Sequence, residues 1–211
     1  MNSAPTLENP FYAANKRVMF LLLCALSFLL LYIKKAFIEY ETAAFEFLQD
    51  RPEGMILRVI SGLQYAAIPI IYLWKFTVIG FLIWVGCFMY GYRITYAQSW
   101  GIVMVAEFVF LLPELIKIIW FLFIETDPNY FEIRGFYPLS LISFFDYTQM
   151  NTRWAYPARS INIFEVLYWY AFVYGVHYFA RIEKKIAWLI VLCGYIIIFF
   201  LWLAFYLIVY K

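Results

Sequence analysis

The stretch TYAQSWGIVMVAEFVFLLPELIKIIWFLF, residues 95–123, decides how the rest of the chain is read. It has the length and apolar content of a membrane-crossing helix, yet it carries Glu107, Glu114 and Lys117, with Pro113 between the two acids. An ionised group near the centre of a bilayer is costly, so such residues face other helices or a wet cavity. Glu107 and Glu114 share nearly one helical face, roughly 10 Å apart along the axis, and Glu107 lies roughly 16 Å beyond Tyr96, near mid-membrane. Pro113 has no N–H to give the carbonyl of Val109, which predicts a kink and a free acceptor.

Two readings of this stretch compete. A broken helix beside a carboxylate is how transporters build ion sites. Alternatively, Glu107 belongs to a dry core, protonated or hydrogen-bonded to Tyr or Trp of neighbouring helices. Glu114 and Lys117 are spaced to pair on the helix surface, with Lys117 snorkelling to the interface, which leaves Glu107 as the deep, unpaired acid.

Composition agrees with a membrane setting. Of 211 residues, 66% are hydrophobic and only 14% charged, against about half and about a quarter in ordinary globular chains. Mean hydropathy is +0.77 and aromatics make up 24%, as suits a protein with wide lipid–water boundaries. A net charge of +2 gives no argument for nucleic acid. Cys24, Cys87 and Cys193 sit inside apolar runs and read as packing residues. No zinc-protease histidine pair, phosphate-cradling glycine loop or hydrolase elbow is present, so no catalytic, cofactor or metal residue is assigned.

The fold class is all-α: a polytopic transmembrane bundle of about five spans plus an interfacial amphipathic helix. Residues 1–15 form a polar, surface-lying segment, and residues 16–211 a single helical domain. The first span covers residues 18–33 and reads as retained, since no small-residue cleavage site follows it. In residues 36–53, Phe37, Tyr40, Ala44, Phe47 and Leu48 recur at helical spacing opposite Glu39, Glu46 and Asp50. That acidic polar face suits docking on protein better than on anionic lipid.

Residues 55–92 read as one long helix kinked at Pro69, with a separate span over 59–74 as the alternative. Within it Gly80, Cys87 and Gly91 form a small-residue packing face. An outer loop fills residues 125–160, with an apolar centre at 137–145 too short to span. The last two spans cover 161–180 and 186–210. Asn162 and Glu165 fit a capping box at the start of the first of these, and His177, the only histidine, is expected to make an interfacial hydrogen bond at its end. Arg93, Arg181, Lys184 and Lys185 mark two short turns as cytoplasmic. Lys34, Lys35 and Arg51 oppose five spans, Lys16, Arg17 and Lys75 oppose six, and the count stays open on charge alone.

The run Arg93-Ile-Thr95-Tyr96 entering a span broken at Leu112-Pro113 resembles the third helix of Yip1-domain membrane proteins. Pro138-Leu-Ser140-Leu141 in the outer loop and Ile161-Asn162-Ile-Phe164-Glu165 opening a span with Gly175 are similar to that family too. The resemblance covers residues 54–210 and implies a five-helix protein without catalysis, its N-terminus in the cytosol. Eukaryotic members bind Rab GTPases, but the Asp-Leu-Tyr-Gly-Pro element of their N-terminal region is replaced here by Asn9-Pro10-Phe11-Tyr12. A Rab-type partner is therefore not carried over, and a bacterial inner-membrane relative is expected. The function expected is a binding or accessory subunit among other integral membrane proteins in the lipid bilayer. The alternative is a small transporter or channel subunit with Glu107 in the pathway.

Overall fold

The computed structural model describes residue 12 and residues 15–40, 52–125, 128–147 and 149–210. It is helical, and among the described residues the one β-type pairing is an isolated bridge between Ser140 and Asn162. Three helices, Lys16–Ile38, Val59–Met89 and Lys184–Val209, are long and apolar enough to cross a membrane.

Helix α1 runs Lys16–Lys34 and starts where the Asn15 side chain accepts from the Arg17 N–H. It continues into a wider π-type turn over Lys35–Glu39. The first residues of the expected amphipathic helix thus prolong the first span, and the rest of that segment, 41–51, lies outside the described residues. Within the turn Lys35 is buried, its ammonium 3.3 Å from the Ser61 carbonyl and 5.2 Å from the centre of the Tyr65 ring.

Helix α2 is continuous over Pro52–Met89 and carries Pro69 inside it, so residues 59–74 are not a separate span. Its end corrects part of the expected packing face. Gly91 has φ +81°, its N–H bonds Phe88 O at 3.0 Å, and the next N–H, of Tyr92, bonds Cys87 O at 2.9 Å. This is the paired hydrogen-bond pattern that closes helices at a left-handed glycine. Gly91 terminates α2 and has open space beside it; Gly80, against Trp100, and the buried Cys87 do face neighbouring residues.

Helix α3 (Tyr96–Glu107) opens on a capping box between Thr95 and Gln98. A 3-10 turn, Phe108–Phe110, joins it to α4 (Leu111–Phe123). The interruption falls where Pro113 withholds its N–H, and the Leu111 N–H turns back onto the carbonyls of Phe108 and Val109. The acceptor freed by proline is thereby used within the chain.

The segment expected to form the outer loop holds α5 (Tyr130–Gly135), a 3-10 turn at Leu141–Phe144 and α6 (Thr152–Ser160). Helix α7 (Ile163–Ala180) follows and ends at Arg181 in the left-handed region, φ 53°, with His177 Nδ1 against the Ile182 carbonyl. The last span is α8 (Lys184–Val191), a π-type turn over Leu192–Ile196 and α9 (Ile197–Val209). The π-type turn lies at the crossing with α2, where a Cβ on Gly194 would stand 3.2 Å from Leu82 O and 3.4 Å from Gly86 Cα. Gly86 and Gly194 let the two backbones touch there, the close approach that small residues allow.

Phe76, Ile83, Ile102, Tyr168, Phe172 and Ile190 centre the core. Tyr12, in the segment expected to lie on the surface, stacks on Tyr178 of α7 with ring centres 5.3 Å apart. Outside the core large apolar side chains such as Leu21, Trp74, Phe88 and Ile208 are exposed, as a lipid-facing surface requires.

Candidate functional site

Glu107 ends α3 and is only 4% exposed. It is not unpaired, as the sequence suggested. Lys75 of α2 donates to its Oε1 at 2.7 Å and the Tyr168 hydroxyl of α7 donates to its Oε2 at 3.2 Å. The register follows from helix geometry: Lys75 lies roughly 21 Å before the end of α2 and Glu107 roughly 16 Å beyond the start of α3, at 1.5 Å per residue on either side of one tight turn. Two oppositely charged groups therefore arrive within about one helical turn of each other in height, a gap of about 5 Å that the long lysine side chain spans.

Aromatic rings enclose the pair. The Lys75 ammonium lies 4.4 Å from the centre of the Phe110 ring and 5.4 Å from that of Tyr168. Phe110 belongs to the 3-10 turn ahead of Pro113 and packs on Tyr168 at 4.8 Å. The broken backbone thus delivers an aromatic face to the cation and an acid to its counterion, which offsets the desolvation of both.

Glu165 forms a second buried acid site one turn away from Tyr168. The Asn162 side chain does cap α7 by accepting from the Glu165 N–H at 2.8 Å. The reciprocal half of the expected box is replaced: the Glu165 Oε1 accepts from Trp169 Nε1 and from the Tyr195 hydroxyl, both at 3.0 Å. Tyr168 and Tyr195 contact edge to face at 5.8 Å and link the two sites. Glu114 and Lys117 part company as well. Glu114 stands 4.0 Å from Lys34, whereas the buried Lys117 donates to the carbonyls of Ile133 and Phe136, tying α4 to α5 and the residue after it.

Beside these acids, between α2, α9 and the end of α6, lies a cavity of about 590 Å³. Lys75 and Glu165 line its wall together with Arg159, Tyr137 and apolar residues of α2 and α9. In the loop, burial first and the nearby Glu114 and Glu165 second hold the Tyr137 hydroxyl well above the usual phenol range, so it is a neutral donor. Among the described residues no three His, Cys, Asp or Glu side chains converge as metal ligands.

Lys75 is the functional-site residue that sequence reasoning missed. A signal was present: it is the only charged residue between Arg58 and Arg93, and its distance from the turn agrees with that of Glu107 to within about one helical turn. Comparison of the chain with protein-family models, curated proteins and solved structures gives no match.

Proposed function

We propose that the chain is a five-span, non-enzymatic membrane protein, Yip1-like in layout, that acts as a binding or accessory subunit of a larger membrane protein complex. The observation that supports this reading is the state of Glu107. The acid best placed for a conduction pathway is closed against Lys75 and Tyr168, so it joins three helices instead of lining an open route. The five-span count adds the α3–α4 unit and α7 to the three long apolar helices. The basic turns at Arg93 and at Arg181, Lys184 and Lys185 support a cytoplasmic N-terminus when there are five spans, and the Yip1-like layout without the eukaryotic N-terminal element supports the bacterial inner membrane as the setting. The outer loop, with Phe131, Phe144 and Trp154 exposed, offers the surface for a protein partner.

The test is mild-detergent extraction of the tagged chain followed by mass spectrometry of what co-purifies. One or more integral membrane proteins in fixed proportion are expected. Recovery of the chain alone and monodisperse would overturn the proposal.

A second reading, a small transporter or channel subunit, draws on one observation: Lys75 joins Glu107 to the cavity that Glu165 also lines. Proton or cation flux into liposomes carrying the purified protein tests it. Flux no greater than in protein-free liposomes removes this reading.

A further inference from the structure

We infer that the cavity between α2, α9 and the end of α6 is a binding site for one membrane phospholipid, its phosphate held by Arg159 and an acyl chain lying against α2. The argument starts from the charges in the wall. Lys75 is matched by Glu107, and Glu165 already accepts two hydrogen bonds on one oxygen. Arg159 has no ion-pair partner among the described residues. Its Nη2 donates to the Arg134 carbonyl at 2.5 Å, and its buried Nε has no hydrogen-bond partner among them. Arg159 lines the cavity, and a guanidinium with one nitrogen held by the loop and no counter-ion among the described residues is the side chain that matches a phosphate.

Depth supports the same occupant. Arg159 is the next-to-last residue of α6 and lies three residues before Asn162, the cap of α7, so it sits at the loop end of the bundle where headgroups lie. Tyr156 and Trp202 share that end of the wall and hydrogen-bond each other at 3.2 Å, an aromatic pair suited to the lipid–water boundary. Away from Arg159 the lining holds Lys75 and Glu165, each already partnered, and is otherwise built by apolar residues such as Ile71, Val78, Leu82 and Ile198, against which an acyl chain can lie. Ile71 and Trp74 are exposed on the side of α2 that borders the cavity, so the groove is open to the surrounding leaflet and a lipid enters sideways. Glu165 lies roughly 4.5 Å deeper than Asn162 along α7, below the phosphate level set by Arg159. A diacylglycerol has the same chains without the phosphate, so it isolates the role assigned to Arg159.

Native mass spectrometry of the full-length protein released from detergent, with palmitoyl-oleoyl phosphatidylglycerol or dioleoylglycerol added, reads the site directly. One phosphatidylglycerol is expected to be retained about tenfold better than dioleoylglycerol, as a charge-assisted contact implies. Arg159→Gln is expected to abolish that preference. Val78→Trp, at a half-exposed position of the apolar wall, is expected to lower retention of both lipids while helix content by circular dichroism is unchanged. Equal retention of the two lipids by the wild type, no retention at all, or unchanged retention in Val78→Trp would each overturn the inference, as would an Arg159→Gln protein that keeps the preference. None of these outcomes bears on whether a protein partner co-purifies, so the accessory-subunit reading is tested separately.

Discussion

Lys75 and Glu107, on consecutive helices, meet at 2.7 Å, and the Tyr168 hydroxyl holds the second carboxylate oxygen. The pair is asymmetric: the Glu107 side chain is 4% exposed and that of Lys75 31%, because the lysine borders the cavity. Removing one partner of a buried pair leaves the other charge uncompensated, whereas replacing both with apolar groups of similar size removes the desolvation problem as well. Glu107→Gln or Lys75→Met alone is therefore expected to destabilise the protein by about 3–5 kcal/mol. The double variant Lys75→Met, Glu107→Leu is expected to recover most of that loss. Thermal unfolding in detergent checks it, and a double variant no more stable than the two single ones would show that the pair is not what holds α2 to α3.

The helical architecture was largely legible in the sequence because hydropathy reports length and polarity along one dimension. Continuity of α2 through Pro69 and the break ahead of Pro113 both followed from local chemistry. The two prolines differ in outcome, and it is Pro113 that coincides with a deep polar group needing an aromatic neighbour, Phe110. Pairings between helices were much less legible. Glu114 has an apparent partner in Lys117 at helical spacing, yet tertiary contacts give it Lys34 and give Lys117 two loop carbonyls. Glu107 has no partner near in sequence, and the one it finds is reached only by counting rise from the turn on both helices. Gly91 shows the same limit. It falls on a small-residue stripe by periodicity, but its positive φ makes it a terminator, while the true contact is Gly86 against Gly194, more than 100 residues away.

Tyr168, itself fully buried, contributes a hydrogen bond to the carboxylate of Glu107, which is 4% exposed. Tyr168→Phe keeps the ring packed among Phe110, Phe172 and Tyr195 and removes only the donor. A loss of about 1.5–3 kcal/mol is expected, the range for hydrogen bonds to ionised groups. In the Lys75→Met, Glu107→Leu background the same change is expected to cost little, because no carboxylate remains to receive the hydroxyl. Comparing the two melting-temperature shifts measures this coupling; equal shifts in both backgrounds would show that the hydroxyl acts independently of Glu107.

Asn162 holds the entry to α7 with three side-chain hydrogen bonds. Its Oδ1 accepts from the Glu165 N–H, and its Nδ2 donates to the carbonyls of Arg159 and Ser160 at 3.0 and 3.1 Å. Asn162→Ala is expected to cost about 0.5–2 kcal/mol for the cap itself. Asn162→Asp retains the acceptor and loses the donors, so its stability should fall between wild type and alanine. An aspartate as damaging as alanine would assign the residue's contribution to the Arg159–Ser160 turn instead of to the helix cap.

Gly175 and Gly62 put the helix packing to a paired test, because both are helical glycines in opposite surroundings. A Cβ on Gly175 would stand 2.7 Å from Cγ2 and 2.9 Å from Cγ1 of Ile102, whose side chain is fully buried. Ile102 cannot swing into open space, so α7 must move from α3 and carry Tyr168 with it. Overpacking of this kind costs about 1–3 kcal/mol. Gly62 of α2 has nothing within 4 Å of its added Cβ. There alanine brings only its better helix propensity, a gain of up to about 1 kcal/mol in an exposed helix interior. Gly175→Ala should therefore lower the melting temperature and Gly62→Ala leave it unchanged or raise it. Because displacement of α7 draws the Tyr168 hydroxyl away from Glu107, the Gly175→Ala loss should shrink in the Lys75→Met, Glu107→Leu background. A Gly175→Ala protein as stable as wild type would mean that α3 and α7 are not in contact at Ile102.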